Sequence, residues 1–258
     1  MATKLFLAVF LCYTCLLLCR VSGFLKDGTL EQVTYAQNAV TQNEHNATLI
    51  AIKLKTSTVI LNISKRSRAR SMLLNSAGQL SYRNKHLLAL FVGRPADCQQ
   101  ARVLCSELDT KWHQTNGISL SAPKLSLQLA DIAQQRSMEL TGSRQLAYNA
   151  LILNVDLFNQ HNSFGDIYKV DVSGNFFKCK NVCVGARSPQ ISAWLNTVGR
   201  KFSTALENSS EPATNSLFNI SAHCLVENYA AEDLRSDNLS VSVTMLCDVP
   251  GKGRVVLG

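Results

Sequence analysis

Apolar positions along the chain recur with two periods. Over residues 31–42, Val33, Ala36, Ala39 and Val40 fall at steps of three and four, which predicts a helix with one buried face. Residues 47–55 and 58–64 are apolar and rich in β-branched side chains, with Thr56-Ser57 between them, so a hairpin is expected. Residues 86–92 read as a short buried strand ended by Gly93. The period then lengthens. Ala101, Leu104, Cys105, Leu108 and Trp112 mark a long helix, with Pro95 where a first turn tolerates the missing N–H. A second helix follows Pro123, with Leu125, Leu129, Ile132, Ala133 and Leu140 on one side.

Strands return at 146–155 and 167–172, and 175–184 reads as one more strand after the turn Ser173-Gly174. Ser188-Pro189 opens a helix striped by Ile191, Trp194, Leu195, Val198 and Phe202. A further helix is expected around Leu217, Ile220, Cys224 and Leu225. Leu239, Val241, Val243 and Met245 alternate with Ser240, Ser242 and Thr244, the pattern of a half-buried strand. Clustered strands followed by paired helices favour packed sheets with helices outside over alternating βαβ units. A four-layer αββα sandwich of the α+β class satisfies this order.

Composition narrows the class. With 46% apolar and 17% charged residues in 258, disorder, collagen and coiled coil are excluded and one core-forming domain is expected. Lys4, the apolar run from Leu5 to Cys19 and the small residues up to Gly23 read as a secretory signal peptide or an aberrant N-terminal extension. Residues 1–23 are therefore set apart from a domain at 24–258. Three of the nine Cys lie in that leader, and the other six read as buried thiols if the compartment is reducing. Asn46, Asn62, Asn208, Asn219 and Asn238 are glycan acceptors by sequence alone.

The net charge of +8 is local. No acid lies between Glu44 and Asp97, while Lys53, Lys55, Lys65, Arg66, Arg68, Arg70, Arg83, Lys85 and Arg94 do. No interleaved aromatics or nucleic-acid motif accompany them, so a solvated edge or a site for partner carboxylates is the better reading. Phosphate loops, dinucleotide fingerprints, HExxH and GxSxG are missing. The five His are scattered, and Cys179 with Cys183 has no second pair to complete a metal site. No metal or cofactor is expected.

The segment Asp27-Gly28-Thr29-Leu30-Glu31-Gln32-Val33-Thr34-Tyr35-Ala36 resembles the N-terminal signature of proteasome alpha-type subunits, with Gly28, Gln32, Val33, Tyr35 and Ala36, then Ala39 and Val40, on its pattern. Lys65-Arg66 after the second strand, Gly93 with Ala96-Asp97, and Asp171-Val172-Ser173-Gly174 resemble further family pieces in family order. Lys53-Leu54-Lys55-Thr56, the stretch from Asn175 through Cys179 to Ser188, and Asn238-Leu239-Ser240-Val241 resemble the alpha type-1 subtype.

The resemblance implies the N-terminal nucleophile hydrolase-like sandwich without its chemistry. Catalytic beta-type subunits need an N-terminal Thr whose own amine is the base. Here the best-placed Thr, Thr48, follows Asn46-Ala47, and no acid comes until Asp97. A non-catalytic alpha-ring subunit of the 20S core is therefore implied, acting in ring assembly, pore gating and activator docking. Its partners would be other alpha and beta subunits and the C-terminal tails of regulatory particles or activators. Lys65, with Arg66, matches the pocket that receives those tails. Cytoplasm and nucleus follow from the family, with neither nucleic acid nor membrane as partner. If the leader is used, the alternative is a secreted or vesicular αββα protein. The sequence departs from the family at the pore-gating start, at Leu25-Lys26, at Thr34 and at Cys98-Gln99.

Overall fold

A computed structural model describes residues 23–42, 47–53, 57–65, 80–138, 144–155, 165–197, 239–249 and 253–257. Its elements are α1 (Glu31–Thr41), β1 (Thr48–Lys53), β2 (Ser57–Lys65), β3 (Leu80–Arg83) and β4 (Leu87–Gly93), followed by α2 (Pro95–Asn116) and α3 (Ala122–Met138). Then come β5 (Tyr148–Asn154), β6 (Ile167–Val170), β7 (Phe176–Cys179), β8 (Asn181–Gly185), α4 (Ser188–Thr197), β9 (Leu239–Val249) and β10 (Gly253–Leu257).

The described strands form two five-stranded sheets, ordered β10-β9-β2-β1-β8 and β3-β4-β5-β6-β7, with each of these pairs antiparallel. Strand alternation gives each sheet two apolar faces. Leu49, Ala51 and Ile60 of the first sheet meet Leu90, Val92, Leu151, Leu153 and Ile167 of the second, forming the inner core. The opposite face of the second sheet, through Leu87, Ala89, Phe91, Tyr148, Ala150 and Ile152, packs on Cys98, Ala101 and Cys105 of α2 and Leu125 and Leu129 of α3. Phe91 and Tyr148 meet edge to face, with ring centroids 5.9 Å apart. On the first sheet's outer side α4 packs against β8 and buries Ile191, Trp194 and Leu195. The expected four-layer αββα sandwich is thus the architecture observed.

Two expectations are corrected. Residues 175–184 are not one strand: the chain leaves the second sheet after Cys179, turns at Lys180 and enters the first sheet as β8. Alternation continues through such a crossing, so periodicity does not reveal it. Strands β3 and β10 were not anticipated, because β3 has only four residues and β10 is preceded by Pro250-Gly251. The helix expected around Leu217 to Leu225, and Leu140, Val198 and Phe202, lie outside the described residues.

Candidate functional site

The chain enters α1 through a tight turn. Leu25 donates its N–H to Thr29 O at 2.8 Å and Gly28 donates to Leu25 O at 2.9 Å, with Gly28 at φ +80°. Asp27 accepts from the Thr29 hydroxyl at 2.8 Å and from its N–H at 3.2 Å. These bonds, the hydroxyl's foremost, hold the Asp27 carboxyl below the usual carboxylate range. Helix α1 has no side-chain N-cap, and Gly23 O takes the Glu31 N–H instead, at 3.0 Å. Thr34, where the alpha signature carries Glu, bonds its hydroxyl back to Leu30 O at 3.2 Å.

The signature residues divide by face. Ala36 is buried with Val40 against Ala147 and Val172. Val33 is half-buried, whereas Gln32 is exposed and Tyr35 is 67% exposed. Helix α1 touches β4 and β5 of one sheet and β8 of the other, so it lies across one end of the sandwich. Its last turn is tied down by Arg187, which donates its N–H to Thr41 O at 3.3 Å.

Lys65 is the last residue of β2, paired with Leu239. Two positions earlier Ile63 pairs with Thr48, and Thr48 pairs with Gly185, next to the corner that holds α1. The topology thus brings Lys65 and the signature helix to the same end of the molecule. Arg66 lies outside the described residues.

Thr48 sits at this end as well. It is an interior chain residue, buried, and its hydroxyl donates to Ala186 O at 2.8 Å. Gly185, at φ +104°, lets β8 approach β1 so closely that a Cβ there would lie 2.1 Å from Ala47 O and 2.7 Å from the Val92 side chain. Thr48 follows Ala47 in the chain and is buried. The next acid along the chain is committed elsewhere. Asp97, fully buried at the start of α2, takes both guanidinium arms of Arg144, with Nη1–Oδ2 at 2.8 Å, and the Ala147 N–H at 2.9 Å. Burial pushes its carboxyl up, but these hydrogen bonds and the charges of Arg144 and Arg94 outweigh that and leave it lowered. Gly93 makes this junction possible, since a Cβ there would sit 2.2 Å from Ala147 O.

At the opposite end of the sandwich, Lys53 of the first sheet contacts Asp166, just before β6 of the second, and Lys178 closes on the same carboxylate at 2.6 Å. Asp166 is 3% exposed. Thr58 adds a second tie, donating its hydroxyl to Gly165 O at 2.9 Å. Composition hid this arrangement. Lys53 belongs to the acid-free window, yet its partner stands 113 residues away. Asp97–Arg144 was equally invisible, because nothing in spacing links a helix start to a loop before β5.

Cys98, Cys105 and Cys179 are free thiols among the described residues, and Cys179 and Cys183 belong to different sheets. Burial pushes the Cys98 and Cys105 thiols up to about 12, away from reactivity. Asn62, one of the glycan acceptors by sequence, is buried in central strand β2. No helix among the described residues is long and apolar enough to cross a membrane.

Comparison with known proteins agrees with this architecture. A family described as "Proteasome subunit" matches residues 43–230. The chain is similar to proteasome subunit alpha type-1 of Dictyostelium discoideum, 24% identical over 177 residues, covering 68% of this chain and 66% of that one. It is similar to the proteasome subunit alpha of Pyrococcus abyssi, 28% identical over 169 residues, covering 64% and 60%. Proteasome subunit alpha type-8 of Mus musculus is 25% identical over 178 residues, covering 68% and 66%. The chain thus spans just under two thirds of the length of these curated relatives, or less.

Proposed function

The chain belongs to the proteasome subunit family, and from that premise we propose that it is a non-catalytic alpha-ring subunit of the 20S core. In this role it contributes to ring assembly, pore gating and activator docking in ubiquitin-dependent protein degradation. Its partners are other alpha and beta subunits and the C-terminal tails of activators or regulatory particles. Its place of work is cytoplasm and nucleus.

One observation carries the reading. The residue at which a threonine protease would bear its nucleophile is Thr48, and it is buried, mid-chain and hydrogen-bonded to Ala186 O, with α1 preceding it. A catalytic Thr is freed by cleavage after Gly so that its own amine serves as base, and here Thr48 follows Asn46-Ala47. The relatives, whose names say alpha, support the same side of the family. Lys65 supplies the docking cation. A tail carboxylate entering a groove loses water and requires an opposite charge, and Lys65 closes the central strand at the end where α1 lies.

Affinity purification of the tagged full chain, followed by mass spectrometry, tests this. Alpha and beta subunits are expected to co-purify, and activator components with them. Lys65→Glu is expected to retain the subunits and shed the activators. Recovery of the chain without any proteasome subunit overturns the assignment.

A further inference from the structure

Strand β7 is the outer strand of the second sheet. It pairs with β6 on one side, and no described strand pairs with its other edge. Its residues are exposed except for the half-buried Cys179, with Phe176 at 40% and Phe177 at 53%. Successive strand residues point to opposite faces, so these adjacent phenylalanines stand on opposite sides of the sheet. A protein lying against either face covers one of them. A strand added in the plane of the sheet covers both, because its own side chains alternate in the same way, and it takes up the backbone groups of the open edge.

The edge is held ready. At its start Asp171 accepts from Ser173 N–H at 3.0 Å, the Ser173 hydroxyl at 2.6 Å and Asn175 N–H at 3.0 Å, fixing the turn that launches β7. At its end Lys178 is anchored on Asp166, and Lys180 O takes the Lys53 N–H at 2.8 Å. Little ordering remains to be done on binding. The surroundings are basic. Lys169, Lys178 and Lys180 flank the phenylalanines, while the nearby carboxylates are used internally, Asp166 between two lysines and Asp171 in its own turn. A second copy of this chain would bring the same lysines to the edge and a net charge of +8, so self-pairing is disfavoured.

We propose that β7 is a strand-addition site for an extended, acidic, β-branched segment of another protein, which pairs along Phe176–Cys179 and packs on both phenylalanines. The site stands on β7 itself and does not require the ring assignment.

Fluorescence anisotropy with the full-length chain tests it, the probe being a short capped peptide of alternating Glu and Val. Saturable binding is expected. Phe176→Ser or Phe177→Ser is expected to weaken it about tenfold, the effect of losing an aromatic anchor. Lys180→Glu weakens it too. Methylating the peptide's backbone nitrogens along one edge abolishes binding, and a Lys/Val peptide does not bind. Absence of saturable binding, or equal binding of the N-methylated or the Lys/Val peptide, overturns the proposal. Far-UV circular dichroism checks that each variant folds. If the phenylalanine variants do not, Lys180→Glu decides alone, since Lys180 is an exposed corner residue, and unchanged affinity there overturns the proposal.

Discussion

Removing Arg144 is the sharpest probe of how the chain holds α2 against its sheets. Asp97 is 1% exposed at its side chain and Arg144 is 55% exposed. The two partners are therefore unequal. Losing the arginine leaves a buried carboxylate with the Ala147 N–H and the charge of Arg94. Losing the aspartate leaves an arginine that rehydrates at the surface, plus one unpaired N–H. Breaking a fully buried pair costs about 3–5 kcal/mol, and the exposure of Arg144 lowers that through solvent screening. Arg144→Ala is expected to cost about 2–3 kcal/mol near neutral pH. Asp97→Ala is expected to cost about 1–3 kcal/mol, mainly for the orphaned Ala147 N–H. The pH dependence carries the diagnostic sign. In the native protein the Asp97 pKa is depressed, so its contribution is present above the unfolded carboxylate pKa and is lost as pH falls through the folded one. In Arg144→Ala the burial that opposes ionisation is offset only by the Ala147 N–H and the charge of Arg94. The stability gap between native protein and variant must then be widest near neutral pH and close towards acid. Urea unfolding followed by far-UV circular dichroism at several pH values measures it. A gap that stays constant across the carboxylate range, or one below about 0.5 kcal/mol at neutral pH, refutes the reasoning.

Other perturbations follow from the same contacts. Gly185→Ala places a Cβ 2.1 Å from Ala47 O at φ +104°, and is expected to cost about 3 kcal/mol or more, whereas Gly28→Ala, with no atom within 4 Å, is expected to cost only about 1 kcal/mol of backbone strain. Thermal melts of the two variants compare them directly. Thr48→Ala removes a buried hydroxyl bonded to Ala186 O and is expected to lower stability by about 1 kcal/mol while leaving fluorogenic-peptide hydrolysis by the purified chain at background before and after. A signal that disappears in this variant contradicts the non-catalytic reading. Asn62 is expected to remain unglycosylated even when the chain is forced through a secretory pathway, because its side chain is closed inside β2, and peptide mapping after glycosidase treatment shows whether that holds.

Elements with strong periodicity are legible in the sequence. Ala101, Leu104, Cys105, Leu108 and Trp112 lie on α2, which starts at Pro95 as anticipated, and Leu125, Leu129 and Ala133 line α3. Their spacing is set by burial against one sheet, and burial is what hydrophobic pattern reports. The division of 175–184 between two sheets was not readable, since a strand that changes sheets keeps its alternation. The signature residues were identified as a set, but their split into a seated face (Ala36, Val40) and an outward face (Gln32, Tyr35) depends on where Ala147 and Val172 arrive. Charge patterning misled in one respect. The basic window reads as a solvated edge or a site for partner carboxylates, yet Lys53 is paired with Asp166 from far along the chain, and Lys178 shares that carboxylate. Linear charge density carries no information about such pairings.

Sedimentation tests the central claim most directly. Lysate from cells expressing the full-length chain is separated on a density gradient, and fractions are probed for this chain and for a catalytic beta subunit. Co-migration of both in a large barrel complex, retained after the complex is purified through the beta subunit, is the predicted result. Confinement of this chain to the fractions of a free monomer contradicts the alpha-ring account.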